Sequence, residues 1–189
     1  MTPFTTLQGK YSNTEHMRQA VELDTVVYNE QFQGILDNCL QWFAKNPEIV
    51  TYLLDEQQVI GYISVLPITE RLRDALLADE IVDVDIKADD IFAYEDNERY
   101  ILYFCSVAIH PDYQGTQAFS VLYDAFSASL EELAARGIFF TEVIAEAVTH
   151  KGLRLCASLG LPQVALTHDG YTLFRRVLED GRFPALGRV

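Results

Sequence analysis

Apolar positions along the chain change their period several times, and each change marks an element. Residues 4–10 are suited to a short first strand. Asn13 and Thr14 then offer N-caps for a helix running to about residue 28, with Met17, Ala20, Val21 and Leu23 as its apolar face. Ile35, Leu36, Cys39, Leu40, Trp42 and Phe43 recur at helical spacing and predict a second helix over residues 32–45, ended by Asn46-Pro47. Two extended runs, 49–55 and 59–66, flank Glu56-Gln57-Gln58 and predict a hairpin whose second strand Pro67 closes. Residues 71–78 read as a short helix with Leu72, Ala75 and Leu76 inward.

The second half alternates strand and helix. Residues 100–110 are apolar almost throughout, which suits a central strand covered on both faces. Leu122, Ala125, Phe126, Leu130 and Leu133 place a helix over 118–135, stopped by Gly137. A strand at 138–145 and a helix at 150–159 follow, the helix stopped by Gly160. Runs at 163–167 and 171–177 flank His168-Asp169-Gly170, a good hairpin turn. The order describes an α/β fold, a mixed sheet with helices on both faces. The strands at 100–110 and 138–145 should be parallel neighbours, joined by a right-handed crossover through the helix 118–135.

Size and composition narrow the function. A chain of 189 residues, 49% of them hydrophobic, fits one domain spanning 1–189, with a C-terminal tail at 178–189. Cys39, Cys105 and Cys156 are odd in number, form no CxxC pair and sit in apolar stretches, as reduced buried thiols of a cytoplasmic protein would. The longest apolar run, 100–109, is too short to span a bilayer, and residues 1–6 lack the basic and apolar regions of a signal peptide. A net charge of −14 argues against binding nucleic acid or an anionic membrane surface.

That charge is concentrated. Residues 79–98 hold nine acids against Lys87 alone, −8 of the net −14. Such a run is either a solvated surface segment or a negative rim that gathers a cationic substrate. Its spacing does not match a calcium-binding loop, and no metal is expected.

Two places carry candidate anion chemistry. The loop Gln114-Gly115-Thr116-Gln117 opens a helix, whose first N–H groups and dipole favour an anion; Gly115 permits close backbone approach. At the start of the later helix, His150, Lys151 and Arg154 cluster within five residues. They either hold a phosphate or are ordinary solvated charges.

These residues resemble the GNAT superfamily of acyl-CoA-dependent N-acyltransferases. The stretch Val107-Ala-Ile-His-Pro-Asp-Tyr-Gln-Gly is similar to the family's strand ending in V-x-P-x-Y-[RQ]-G. The motif continues [RQ]-x-x-G-x-[GA], and here Gln117 stands at its first glycine and Phe119 at its last small residue. Residues 149–161 resemble N-x-x-A-x-x-L-Y-x-x-x-G-F, with Thr149 for Asn, Gly152 for Ala, Cys156 for Tyr and Leu161 for Phe.

The resemblance implies a mostly antiparallel mixed sheet with a central parallel pair. It implies acetyl-CoA as acyl donor and a primary amine, on a small molecule or peptide, as acceptor by direct attack. The backbone of Gly115, Thr116, Gln117, Ala118 and Phe119 would cradle the CoA pyrophosphate, helped by side chains of Thr116, Gln117 and Lys151. The backbone from Val107 to Ile109 would pair with the pantetheine arm, and the Ile109 N–H would polarise the thioester carbonyl. Cys156, at the position of a proton-donating Tyr, is either a weak acid or packing. A Glu common in the family's central strand is replaced by Cys105. Glu142 and Glu146 share a face of the next strand and are the candidate bases, Glu146 better placed at the strand end. The other reading is a degenerate GNAT domain that binds a ligand or partner without turnover. A homodimer is compatible with either.

Overall fold

The computed structural model describes residues 4–187. Seven strands form one sheet: β1 (Thr5–Gln8), β2 (Val50–Asp55), β3 (Gln58–Ile68), β4 (Arg99–Ile109), β5 (Phe139–Ala147), β6 (Gln163–Leu166) and β7 (Thr172–Val177). Their spatial order is β1-β2-β3-β4-β5-β7-β6, so β4 lies in the middle. β4 and β5 are parallel, and the other neighbours are antiparallel. This is the mixed sheet with a central parallel pair that the pattern predicts.

Among the described residues five α-helices cover the two faces. α1 (Thr14–Val27), α2 (Leu36–Lys45) and α3 (Glu70–Leu77) pack over Tyr62, Tyr103 and Ile144. α4 (Ala118–Ala135) and α5 (His150–Ser158) pack over Phe104, Val143 and Ala145 on the other face. Alternation along β4 makes both cores possible: Leu102 and Phe104 face one way, Ile101 and Tyr103 the other. At the α1 start Asn13 accepts the N–H groups of Glu15 (3.0 Å) and His16 (3.3 Å), as its sequence position predicts.

Three expectations change. The second helix starts at Leu36 rather than 32, because residues 30–32 form a separate 3₁₀ turn and the Gly34 N–H is held by the Asp24 carboxylate (3.0 Å). The second hairpin strand does not stop at Pro67 but continues to Ile68. β2 has ended by then, so the missing proline N–H falls on an edge without a strand, while the Pro67 carbonyl accepts the Phe92 N–H at 2.8 Å.

The third change concerns the acidic run, which is more than solvated surface. One face of α2 and the loop after it zip the run down: Asn38 donates to the Val84 carbonyl (2.8 Å), Trp42 to Ile86 (3.1 Å), Lys45 to Ala88 (2.8 Å) and Asn46 to Phe92 (3.1 Å). The three-to-four residue spacing of the first three donors is the helix repeat itself. Ile86, Ile91 and Tyr94 are buried between the charges, and buried Asp90 pairs with Arg71. No helix among the described residues is long and apolar enough to cross a membrane.

Candidate functional site

β4 and β5 run together from Arg99 opposite Phe139 to Phe104 opposite Ala145, then part. Beyond that point β4 is paired only to β3, as far as Ile109, and β5 only to β7, as far as Ala147. An extra residue at Cys105 produces the parting: Ser64 pairs Ser106, while the next residue of β3, Val65, pairs Phe104. The bulge also puts Val107 and Ile109 on the Phe104 face. A cleft of about 730 Å³ opens at the split. The carboxyl ends of parallel strands that diverge are a common ligand position in α/β sheets.

One end of the cleft is built by the loop into α4 and by α5. Gly115 has φ +76, in the left-handed region that glycine tolerates, and a Cβ there would meet nothing within 4 Å. The Thr116 hydroxyl donates to the Tyr113 carbonyl (2.6 Å) and accepts the Ala118 N–H (3.1 Å), so Thr116 supplies the cap at this helix start. Gly115, Thr116 and Phe119 line the cleft, with Lys151 and Arg154 on α5. The Gln114 amide spans the gap, donating to the Ile109 carbonyl at 2.9 Å and accepting from the Lys151 ammonium. Thr149 caps α5 by accepting the Gly152 N–H at 3.0 Å.

The middle of the cleft holds the free edge of β4. Because the His110 N–H points to Ile60 of β3 (2.8 Å), the N–H groups of Ile109 and Val107, one and three residues back, point the other way, into the split. The Tyr28 hydroxyl closes on Val107, donating to its carbonyl (2.8 Å) and accepting its N–H (3.3 Å). Burial, then nearby Asp24, push the Tyr28 phenol well above its usual range, so it stays protonated.

The opposite end is acidic. Glu146 is half-buried at the end of β5; desolvation, then the Asp83 carboxylate, raise it to about 7. Asp83 lines the same cleft, and burial raises it to about 6. Behind Cys105 a side chamber of about 40 Å³ is lined by Asp24, Trp42 and Tyr62. Burial brings Asp24 to about 6, although the Tyr62 hydroxyl donates to it at 2.5 Å.

No family model matches the chain, and no curated protein matches its sequence. Solved structures do match its shape. The putative acetyltransferase yncA from Salmonella typhimurium, solved with acetyl-CoA, superposes with TM-score 0.55 at 16% identity, covering 96% of this chain and 98% of that one. Ard1 from Thermoplasma volcanium gives 0.59 at 12% identity over 94% and 99%. The GphF GNAT-like decarboxylase, in complex with isobutyryl-CoA, gives 0.62 at 12% identity over 93% and 98%. The chain has the GNAT fold.

Within this GNAT fold the residues singled out from sequence separate into two groups. Val107, Ile109, Gln114, Gly115, Thr116, Phe119, Thr149, Lys151, Cys156 and Glu146 all border one cleft. Gln117, Ala118 and Glu142 do not. Gln117 is the N-cap residue of α4 and Ala118 is fully buried beneath it, so the departure from the glycine motif that meets the cleft is Phe119. Glu142, 4% exposed, is held between Arg73 (2.9 Å) and Arg175 (2.5 Å), a structural ion triad that leaves it no free oxygen for a base. Cys156 belongs to the α4–α5 core, and burial raises its thiol to about 11.

Sequence reading missed Tyr28, Asp24 and the tail. Leu186 and Gly187 form part of the cleft wall, anchored by the Gly187 N–H on the Ser158 carbonyl at 2.8 Å. Tyr28 and Asp24 lie on α1 or at its end, far in sequence from the motifs, and carry no local signal.

Proposed function

We propose that the protein is a cytoplasmic acyltransferase that moves an acyl group, acetyl in the first instance, from CoA to an amine. The observation that carries this reading is the edge of β4 from which β5 has parted, set between a helix N-terminus with two cations and a carboxylate raised to about 7. An extended amide-bearing arm can add to such an edge as a strand would. The phosphates suit Gly115, Thr116, Lys151 and Arg154 at the end that combines N–H donors with positive charge.

The chain's own groups then divide the work. Glu146 takes a proton from the acceptor ammonium, leaving a neutral amine whose lone pair attacks the thioester carbon. Its value near 7 suits a base that works at neutral pH. The Ile109 N–H faces the split and stabilises the carbonyl oxygen as the C–N bond forms. When the C–S bond breaks, the thiolate takes up the second amine proton through water. Cys156 is not the donor in this scheme: a thiol raised to about 11 would protonate a thiolate of about 8.5 only uphill. It packs the wall.

The acidic end also favours an amine over a carboxylate-bearing acyl group of the kind a decarboxylase consumes, since Asp83 and Glu146 would repel a third carboxylate. One observation favours the degenerate reading: Tyr28 and Gln114 already satisfy backbone groups of Val107 and Ile109 that the pantetheine arm would use. Titrating acetyl-CoA into the protein, then following thiol release with an amine panel, separates the two. Binding with release supports the transferase, binding without release supports the degenerate domain, and no binding removes the donor site altogether.

A further inference from the structure

Three carboxylates converge where the cleft meets its side chamber; the one basic group that acts on them among the described residues, His168 near Glu146, is itself held by Asp79 (2.7 Å) and Asp169 (3.4 Å), and none acts on Asp83 or Asp24. Phe32, Asp83, Cys105 and Ser106 line both cavities and form the passage between them. Glu146 stands on the cleft side and Asp24 on the chamber side. Asp24 has hydrogen bonds from Tyr62 and Gly34, but neither donor carries charge. Asp83 has less: no side chain among the described residues donates to it, and only its own N–H and that of Val84 lie near. Elsewhere the chain does neutralise its buried acids: Glu142 has two arginines and Asp90 has Arg71.

An uncompensated charge next to a cavity is costly, and either a proton or an arriving counter-charge relieves it. A metal ion is a poor occupant, because no group of three metal-ligating side chains occurs among the described residues. The chamber does have room for one ammonium-sized group, and Trp42, Tyr62 and Phe32 among its walls suit an organic cation.

We propose that Asp83 recognises a second cationic centre of the acceptor, so that the preferred acceptor is a small diamine with one ammonium at Glu146 and the other at the Asp83 passage. This rests on the acyltransferase reading for the fate of the first amine, but its binding step does not. The 79–98 run thereby acquires a specific role in recognition. The donors of α2 fix its backbone at Val84 and Ile86, within and just after the 3₁₀ turn that carries Asp83.

Calorimetry on the full chain tests the proposal with 1,4-diaminobutane, 1-aminobutane and 4-aminobutanoate. The diamine should bind about tenfold more tightly than the monoamine, and 4-aminobutanoate more weakly than either. Arrival of a cation should release protons from the raised carboxylates, so the heat should depend on the buffer's ionisation enthalpy. Asp83→Asn should bring the diamine down to the monoamine, whereas Asp85→Asn, an exposed neighbour, should keep the preference. Equal affinity for diamine and monoamine in the wild-type protein overturns the inference, as does a preference that survives Asp83→Asn. If Asp83→Asn fails to fold, the three-ligand series in the wild type still decides. The acyltransferase reading fails separately: acetyl-CoA that does not bind, with the diamine preference intact, removes that reading alone. Acetyl-CoA turnover with no diamine preference removes this inference alone.

Discussion

The Tyr28 hydroxyl stands in for a strand: it meets both the N–H and the C=O of Val107 at the point where β5 has left β4. A pantetheine arm pairing there must displace it. Tyr28→Phe removes the competitor while keeping the ring. One ordinary hydrogen bond contributes about 1 kcal/mol, so the acetyl-CoA dissociation constant should fall by up to about fivefold, measured by calorimetry. A weaker constant in this variant would instead make Tyr28 part of the donor's binding surface.

Glu142 and Glu146 lie four residues apart on one face, and the structure gives them opposite environments. kcat/KM should rise with pH and level off above about 7, as Glu146 loses its proton. Glu146→Gln should lower kcat by about 10²–10⁴ and remove that inflection. Glu142→Gln should leave the inflection in place and cost about 3 kcal/mol of stability, because Arg73 and Arg175 lose their shared counter-ion. If the two variants exchange these behaviours, the assignment of the base is wrong.

Stability should also carry the signature of the raised carboxylates. Asp24 and Asp83 move from 3.8 to about 6, and Glu146 from 4.5 to about 7. Between about pH 4 and 7 the folded chain therefore holds protons that the unfolded chain has released. Their contribution to stability is full below the unfolded values and is lost as pH rises through the folded ones. The thermal midpoint should be higher at pH 5 than at pH 7.5, and Asp83→Asn should flatten the difference. A midpoint that climbs steadily from pH 5 to 7.5 would contradict the burial of these groups.

The frame was legible in the sequence because its signals are local. Asn13 before α1, Gly137 after α4 and the apolar run of β4 each act within a few residues, and the structure follows them. Gly115 and Lys151 were findable for the same reason: a motif spans each. Tyr28 and Asp24 were not, and Asp83 was visible only as one acid of a run that reads either as surface or as a negative rim, because what defines all three is where α1 and the 79–98 run come to rest against a bulge in β4. Glu142 shows the converse failure. Period-2 alternation places it correctly beside Glu146, but no periodicity shows that Arg73 and Arg175 arrive from two other elements.

The donor end makes a prediction about which charges matter. Lys151 and Arg154 line the cleft, whereas Gln117 does not. Lys151→Ala with Arg154→Ala should weaken CoA by about tenfold or more and leave pantetheine, which lacks the nucleotide phosphates, almost unchanged. The loss should shrink as salt is raised. Gln117→Gly should leave CoA affinity near the wild-type value. Equal losses for CoA and pantetheine in the double variant would place the phosphates elsewhere.

The tail sets the remaining wall of that end, and one aromatic holds it. Phe183 packs its ring 5.4 Å from both Phe104 on β4 and Phe126 on α4, and the Tyr123 hydroxyl reaches the Pro184 carbonyl at 3.4 Å. From there the chain carries Leu186 and Gly187 to the cleft and ties to α5 at Ser158. Phe183 is half-buried, so Phe183→Ala should cost about 2 kcal/mol, less than a fully buried phenylalanine. Its functional effect should be one-sided. Loosening the tail opens the donor end, so the acetyl-CoA dissociation constant should rise about tenfold, while the Glu146 inflection in kcat/KM, set at the other end of the cleft, should stay near pH 7. A Phe183→Ala protein that loses stability yet binds acetyl-CoA as the wild type does would reduce the tail to packing and take Leu186 and Gly187 out of the donor site.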